Sequence, residues 1–398
     1  MRETANIRRS TPEILFSPDF GEGMKLVVTI PAQNEEATIA RVVAGVPRNI
    51  RGIADVEVIV INDSSTDRTA QEAHRAGALV VTLHNRPGLG KVFQTGLERA
   101  MRRGADIICN IDGDGQFNPA DIAKLVQPII SDEADFVTCS RFADASLKPT
   151  MPVVKYWGNR VVTGMINWVC GGTEFTDVSC GFRAFNREAA YRMTLFGRYT
   201  YTQETFIDLF SKGMRIDEVP LRVRGVREHG KSRVASSIFK YATDSLPIIL
   251  RAMLDIQPLK FFGGIAALLF IPGMLMMGFV AAWYLMKGKT TPYTSLIMIS
   301  GITVTLSFLL GVLALLADML GRHRKISEEL LYLARRKIYA GKRASLPRPV
   351  MTSIEPELAV ARLFEESWHA DTGNVRSPSP MLDTAIEEDV EAVSLSVR

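Results

Sequence analysis

The sequence predicts an α/β domain, a mostly parallel sheet with helices on both faces, followed by a two-helix hairpin long enough to cross a membrane. Three observations predict it. Between Lys25 and Arg141 short apolar runs alternate with segments of helical spacing, the pattern of strands buried on both faces and joined by right-handed crossovers. Acidic residues follow the ends of three of those runs: Glu35, then Asp63, then Asp112 with Asp114. Farther along, Phe261–Met286 and Tyr293–Ala317 carry no charge, and each exceeds the roughly 20 apolar residues that span a bilayer.

The strand candidates, in order, are LVVTIPA, VEVIVIND, ALVVTLHN, DIICNID and DFVTCSRF. Each joins apolar or β-branched residues to a polar or turn-forming end. Between them Glu36–Val46, Thr66–Ala76, Leu89–Arg103 and Pro119–Ile130 place apolar residues at helical spacing. In such sheets a ligand sits outside the carboxyl ends of the strands, so the carboxylates that follow those ends share one site. From Pro152 to Gln257 the chain turns more helical and more basic, and Val234–Asp255 reads as an amphipathic helix lying on a membrane surface.

The domain plan expected is an N-terminal extension (1–23), the α/β domain (24–233), amphipathic interface helices (234–257) and a hairpin (258–320). A basic juxtamembrane helix (321–344) and an acidic, disordered tail (345–398) complete it. Arg251 and Lys260 precede the spans, and Arg322, Arg324, Lys325, Arg335, Arg336 and Lys337 follow them. By the positive-inside rule both termini, and with them the α/β domain, are cytoplasmic. The opening residues contain no apolar stretch of signal-peptide length. Cys109, Cys139, Cys170 and Cys180 lack metal-ligand spacing and read as reduced, buried thiols. A net charge of +4 without a basic run outside the membrane flanks excludes nucleic acid as a partner.

The strongest local signal is NIDGDGQFNP, residues 110–119. Two carboxylates spaced D-x-D after a buried strand, with Gln116 as a further oxygen donor, suit a hard divalent cation that offsets the charge of a diphosphate. An EF-hand reading fails, because its sixth position would be Phe117 and its twelfth Ala123. The same segment also reads as a turn that caps the next helix. INDSSTDRT likewise reads as N-capping by Ser65 or Asp63, and RPGLGKVFQTG matches neither the Walker spacing nor G-x-G-x-x-G.

Taken together and in order, PAQNE (31–35), NDSSTD (62–67), GLGKVFQTG (88–96), DGDGQ (112–116), DVSCGFR (177–183), YTQE (201–204) and REHGKSR (227–233) carry a resemblance. The chain resembles the family 2 glycosyltransferases of GT-A fold, in the polyprenyl-phosphate branch that includes the dolichol-phosphate mannose synthases and bacterial undecaprenyl-phosphate glucosyltransferases. The resemblance spans roughly residues 24–257. It implies an enzyme, an inverting transferase that moves a sugar from a nucleotide diphosphate sugar to polyprenyl phosphate with Mg2+ or Mn2+.

It also implies roles by position. Pro31, Gln33, Glu35, Asp63, Lys91 and Asp112 fall where the family holds the nucleotide, and Asp112, Asp114 and Gln116 where it holds metal and diphosphate. Arg141 and Arg160 match arginines on the acceptor phosphate, and Arg227, Ser232 and Arg233 match a segment that closes over the site. Asp177 and Glu204 are the candidate catalytic carboxylates beside Asp112 and Asp114. Gln33 replaces a frequent tyrosine and Asn62 the first of two acidic residues, while Gly115 and Phe117 depart from the metal loop of the mannose synthases; these changes leave the nucleotide and sugar open. Membrane-embedded members often assemble, so a homo-oligomer is among the arrangements implied. The acceptor phosphate is already largely ionised at pH 7, so no strong base is required of any residue. Two alternatives stand beside this: a polysaccharide synthase, whose Q-x-x-R-W motif and additional spans are absent from the sequence, and an inactive nucleotide-binding membrane adaptor.

Overall fold

The computed structural model describes residues 23–85, 88–195, 201–225 and 258–339. The N-terminal extension, the amphipathic segment 234–257 and the acidic tail lie outside the described residues.

Strand β1 (Met24–Ala32) is at the centre of the first half of the sheet. It pairs in parallel with β2 (Ile53–Asp63) on one side and β4 (Ile107–Asn110) on the other, and β2 pairs in parallel with β3 (Leu79–Leu83). Helices α1 (Ile39–Ala44), α2 (Thr69–Arg75) and α3 (Leu89–Arg102) make the crossovers. Both faces are covered. Leu26, Val28 and Ile30 pack with Val42, Val43 and Leu125 on one face, and Val27, Ile59 and Ile61 pack with Val92, Phe93 and Leu97 on the other. Gly96 brings α3 down on the sheet, where a Cβ would stand 3.3 Å from that of Thr29.

Both early helices begin three residues later than their apolar spacing predicts. The preceding backbone N–H groups bond to the neighbouring loop instead of starting a helix: Glu35 to Thr69 Oγ1 at 2.8 Å and Thr66 to Asn34 Oδ1 at 2.8 Å.

The second half departs further from the expected pattern. After α4 (Ile122–Ile130) and β5 (Phe136–Ser140) come α5 (Val153–Val169), β6 (Arg183–Asn186), α6 (Arg187–Arg192), α7 (Tyr201–Ser211) and β7 (Ile216–Pro220). The region read as helical thus contains two strands. They complete a seven-stranded sheet of order β3-β2-β1-β4-β6-β5-β7 in which β6 runs antiparallel to both neighbours. Four residues long, β6 shows no periodicity in the sequence, and its place is set by β4 and β5 on either side.

Helices α8 (Pro258–Lys287) and α9 (Thr294–Tyr339) are both long and apolar enough to cross a membrane, and their apolar windows are only 17% and 11% buried, unlike core helices of a soluble protein. They pack as an antiparallel pair through mostly small buried residues repeating every seven positions, Ala266, Gly273 and Val280 against Ser300, Ser307 and Ala314. A Cβ on Gly273 would stand 2.9 Å from Val304 Cγ2, the close helix–helix approach that small residues permit.

The second span and the basic helix expected after residue 320 are one continuous helix. α9 continues to Tyr339 and docks on α6 and α7. Arg335 Nη1 donates to the carbonyls of Tyr191 and Met193 at 3.1 and 2.5 Å, and Tyr332 donates to Glu188 at 3.2 Å. Arg192 lies over the Tyr332 ring, and Lys212 pairs with Glu328 at 3.4 Å.

Candidate functional site

The carboxyl ends of β1, β2 and β4 meet at one edge. Loops after β1 and β2 are laced together by short side chains: Asn34 N–H donates to Ser65 Oγ, Ser65 N–H to Asn62 Oδ1, and Arg68 N–H to Glu36 Oε2, at 2.9, 3.2 and 3.0 Å. Asn34 and Ser64 hold positive φ, 54° and 52°. Gln33 Nε2 donates to the carbonyl of Asp63 at 3.0 Å. The D-x-D loop joins this edge, with Gly113 N–H bonded to the carbonyl of Pro31 at 3.3 Å and Thr38 Oγ1 to that of Gly113 at 2.7 Å. Pro31, Gln33, Asp63, Asp112 and Asp114 are thereby brought together, with Glu35 at the rim. Lys91 is exposed in the first turn of α3.

Asp114 is buried, and its Oδ1 accepts from the N–H of Gln116 at 3.1 Å. Gln116 Nε2 donates to the carbonyl of Arg224, and the Arg224 N–H returns to the carbonyl of Gln116, both at 3.0 Å. This ties the loop to residues 221–225. On its other side the segment before β6 comes so close that a Cβ on Gly181 would stand 2.9 Å from Asp112 Oδ2. Among the described residues no three His, Cys, Asp or Glu side chains converge as a metal cluster. Two carboxylates that leave further positions to substrate phosphate and water are what Mg2+ or Mn2+ accepts, so Asp112 and Asp114 fit such an ion.

The second half of the site surrounds Asp177, which is fully buried. Arg141 grips it side-on, Nε to Oδ2 at 2.6 Å and Nη2 to Oδ1 at 2.9 Å. The N–H groups of Arg141 and Ser179 and the Asn159 amide add bonds of 3.2–3.3 Å. Burial works against the charge on Arg141, and the charge and hydrogen bonds of Asp177 overcome it, holding the guanidinium more firmly protonated than usual. A carboxylate accepting from five donors is an anchor for arginine. Its lone pairs are already engaged.

Sequence reasoning missed Arg183. It is fully buried and donates to the carbonyls of Cys180, Thr202 and Val178 at 2.6, 2.7 and 2.9 Å, resting against Phe206. Burial lowers its pKa. Its place in DVSCGFR was the available signal, but nothing in the motif says that it points inward. Asn110, at the end of β4, donates to the Gly181 carbonyl at 3.0 Å and to Tyr201 Oη at 3.1 Å, which brings the start of α7 to the D-x-D strand. Glu204 is half-buried in that first turn, and Gln203 beside it is buried. Arg160 is exposed on α5. Arg227, Ser232 and Arg233 lie outside the described residues.

Residues 27–194 match the model of the family "Glycosyl transferase family 2". An uncharacterized protein of Methanocaldococcus jannaschii is 31% identical over 50% of this chain and 81% of its own length. The UDP-N-acetylglucosamine–dolichyl-phosphate N-acetylglucosaminyltransferase of Methanococcus voltae is 30% identical over 50% of this chain and 84% of its own. The chain is a family 2 glycosyltransferase. The crystal structure of glucosyl-3-phosphoglycerate synthase from Mycobacterium tuberculosis with Mn2+ and UDP-glucose is similar at 24% identity, over 57% of this chain and 79% of that one, with a TM-score of 0.46. In this glycosyltransferase the D-x-D edge and the Arg141–Asp177 pair are the two halves of a single candidate site, joined through Gly181 and Asn110.

Proposed function

We propose that this glycosyltransferase transfers a sugar from a nucleotide diphosphate sugar to a polyprenyl phosphate at the cytoplasmic face of a membrane. The observation that carries the reading is α9: one unbroken helix runs from an apolar, exposed span into a dock on α6 and α7. A domain held this way works at the bilayer surface, where a lipid-tailed acceptor presents its phosphate. The outer face of α5 supports the same reading. Val153, Trp157, Val161 and Trp168 are exposed there, with Lys155 and Arg160 beside them, and tryptophan with basic residues is the composition of a membrane interface. The inner face of the same helix sends Asn159 to Asp177. The Methanococcus relative named for a dolichyl-phosphate acceptor adds to this.

In the mechanism, the loops after β1 and β2 cradle the nucleotide, with Glu35 and Asp63 at its edge. Asp112 and Asp114 would hold a divalent cation, which when bound offsets the charge of the leaving diphosphate. Arg141 is gripped along its Nε/Nη2 edge, which leaves its Nη1/Nη2 edge as the one that would take bidentate contact with the acceptor phosphate. A phosphate oxygen then bonds to the anomeric carbon as the bond to the diphosphate oxygen breaks, which inverts the configuration there. No proton need be removed, which suits an Asp177 with every lone pair engaged.

The test is a transfer assay on detergent-purified protein with polyprenyl phosphate, Mg2+ or Mn2+, and GDP-mannose, UDP-glucose or UDP-N-acetylglucosamine in turn, read as lipid-linked product by mass spectrometry. Product from one donor is expected. Nucleotide release without a lipid product from any donor would overturn the acceptor assignment.

A further inference from the structure

The guanidinium of Arg141 is aimed by Asp177, and Asp177 is in turn held by a carboxylate from a different strand. Glu218, on β7, reaches the turn before Asp177. Its Oε1 accepts from the Asp177 N–H at 2.9 Å, and its Oε2 accepts from the Thr176 N–H at 2.7 Å and the Thr176 hydroxyl at 2.8 Å. The Thr176 hydroxyl also lies 2.5 Å from Ser140 Oγ. Since Thr176 gives its proton to Glu218, Ser140 is the donor in that contact. Ser140 Oγ in turn accepts from the N–H groups of Phe142 and Ala143, at 3.2 and 3.0 Å. A one-directional chain of donors thus runs from the loop carrying Arg141, through Ser140 and Thr176, to Glu218. A second runs from Arg141 through Asp177 and its own N–H to the same carboxylate. Both ends of the Arg141 loop converge on Glu218.

We propose that Glu218 is a positioning residue for the acceptor: it fixes the backbone at Thr176–Asp177 and the turn at Ser140, and through them the direction of the Arg141 guanidinium. This rests on the reading that Arg141 meets the acceptor phosphate. Both of its oxygens receive backbone N–H donors, so a glutamine must turn its NH2 toward one of them, donor against donor. Glu218→Gln therefore breaks one branch of the relay while keeping shape and volume.

The experiment uses full-length protein in detergent. In Glu218→Gln the KM for polyprenyl phosphate is expected to rise about tenfold, with the KM for the nucleotide sugar unchanged, because a misaimed arginine weakens acceptor alignment. A second measurement needs no acceptor: the Nε–H resonance of Arg141 in 15N-arginine-labelled protein, identified by its loss in Arg141→Lys, should shift in Glu218→Gln. An unmoved resonance would overturn the relay. A shifted resonance with an unchanged acceptor KM would leave the relay standing and remove Arg141 from the acceptor phosphate. Equal rises in both KM values would mean a general loosening of the fold and would also overturn the proposal.

Discussion

The two halves of the site are built differently. The half proposed to hold the donor joins the ends of three parallel strands through loops tied by mostly neutral side chains: Asn34 to Ser65, Gln33 to Asp63, Thr38 to Gly113. The half proposed to meet the acceptor is assembled around buried charge. Asp177 and Arg183 have no exposed surface, and their partners come from β5, α5, β7 and the start of α7. A buried ion is tolerated only when fully paired. The donor half should therefore lose chemistry without losing stability when altered, whereas the acceptor half should lose both.

The largest expected effect tests the donor side. Asp114→Asn should lower transfer about a thousandfold or more, by weakening the hold on a cation whose charge is what the leaving diphosphate needs, while the denaturation midpoint stays near that of the unaltered protein. A large fall in the midpoint would break the contrast. On the acceptor side, Arg141→Lys replaces a fork by a point charge; the acceptor KM should rise ten- to a hundredfold, on the order of 1.4–2.7 kcal/mol, with the donor KM held. A rise confined to the donor would reverse the assignment of the two halves.

Stability sharpens the comparison further. Arg183→Met strands the carbonyls of Val178, Cys180 and Thr202 and should cost about 3 kcal/mol in chemical denaturation. Asn34→Gly, in the donor loops, trades two exposed bonds from Thr66, one of them long, for relief of a positive φ and should stay within about 1 kcal/mol. Equal losses would mean that the halves are alike. The smallest effect lies at the dock. Burial raises Asp208 to about 6 against the opposing pull of Lys212. A raised folded-state pKa favours the fold fully below the unfolded value near 3.8, and that contribution disappears as pH rises through about 6. Asp208→Asn should accordingly flatten the fall in stability between pH 4 and 7.5, a change on the order of 1 kcal/mol; an unaltered pH profile would remove Asp208 as its source.

The same contrast explains what could be read in advance. The donor half was legible because its strands carry continuous buried runs, its connections are short, and each carboxylate lies within a few residues of a strand end. Asp112 and Asp114 could be placed from the sequence for that reason. The acceptor half depends on contacts between residues far apart in the chain, Arg141 with Asp177 and Asp177 with Glu218, separated by 36 and 41 positions. Strand β6 is too short to show a period, and Arg183 looks like any surface arginine until the carbonyls around it are known. Glu218 lies in a strand whose alternation is broken by a charged pair, Asp217–Glu218. The boundary drawn at residue 320 follows a change in charge density, which divides the sequence without interrupting the helix, so that the second span and the basic helix expected after it are one element.

That continuity gears two motions together. An α-helix rises 1.5 Å and turns 100° with each residue, so any insertion between Asp318 and Ser327 would lift the catalytic domain and swing its heading in the same step. Single insertions would turn the site about 100° relative to the hairpin. Seven residues would nearly restore the heading while raising the domain by about 10 Å. The distance between the catalytic domain and the apolar hairpin can therefore change only in coarse steps, like a thread cut to a single pitch, and it is written in the length of one helix.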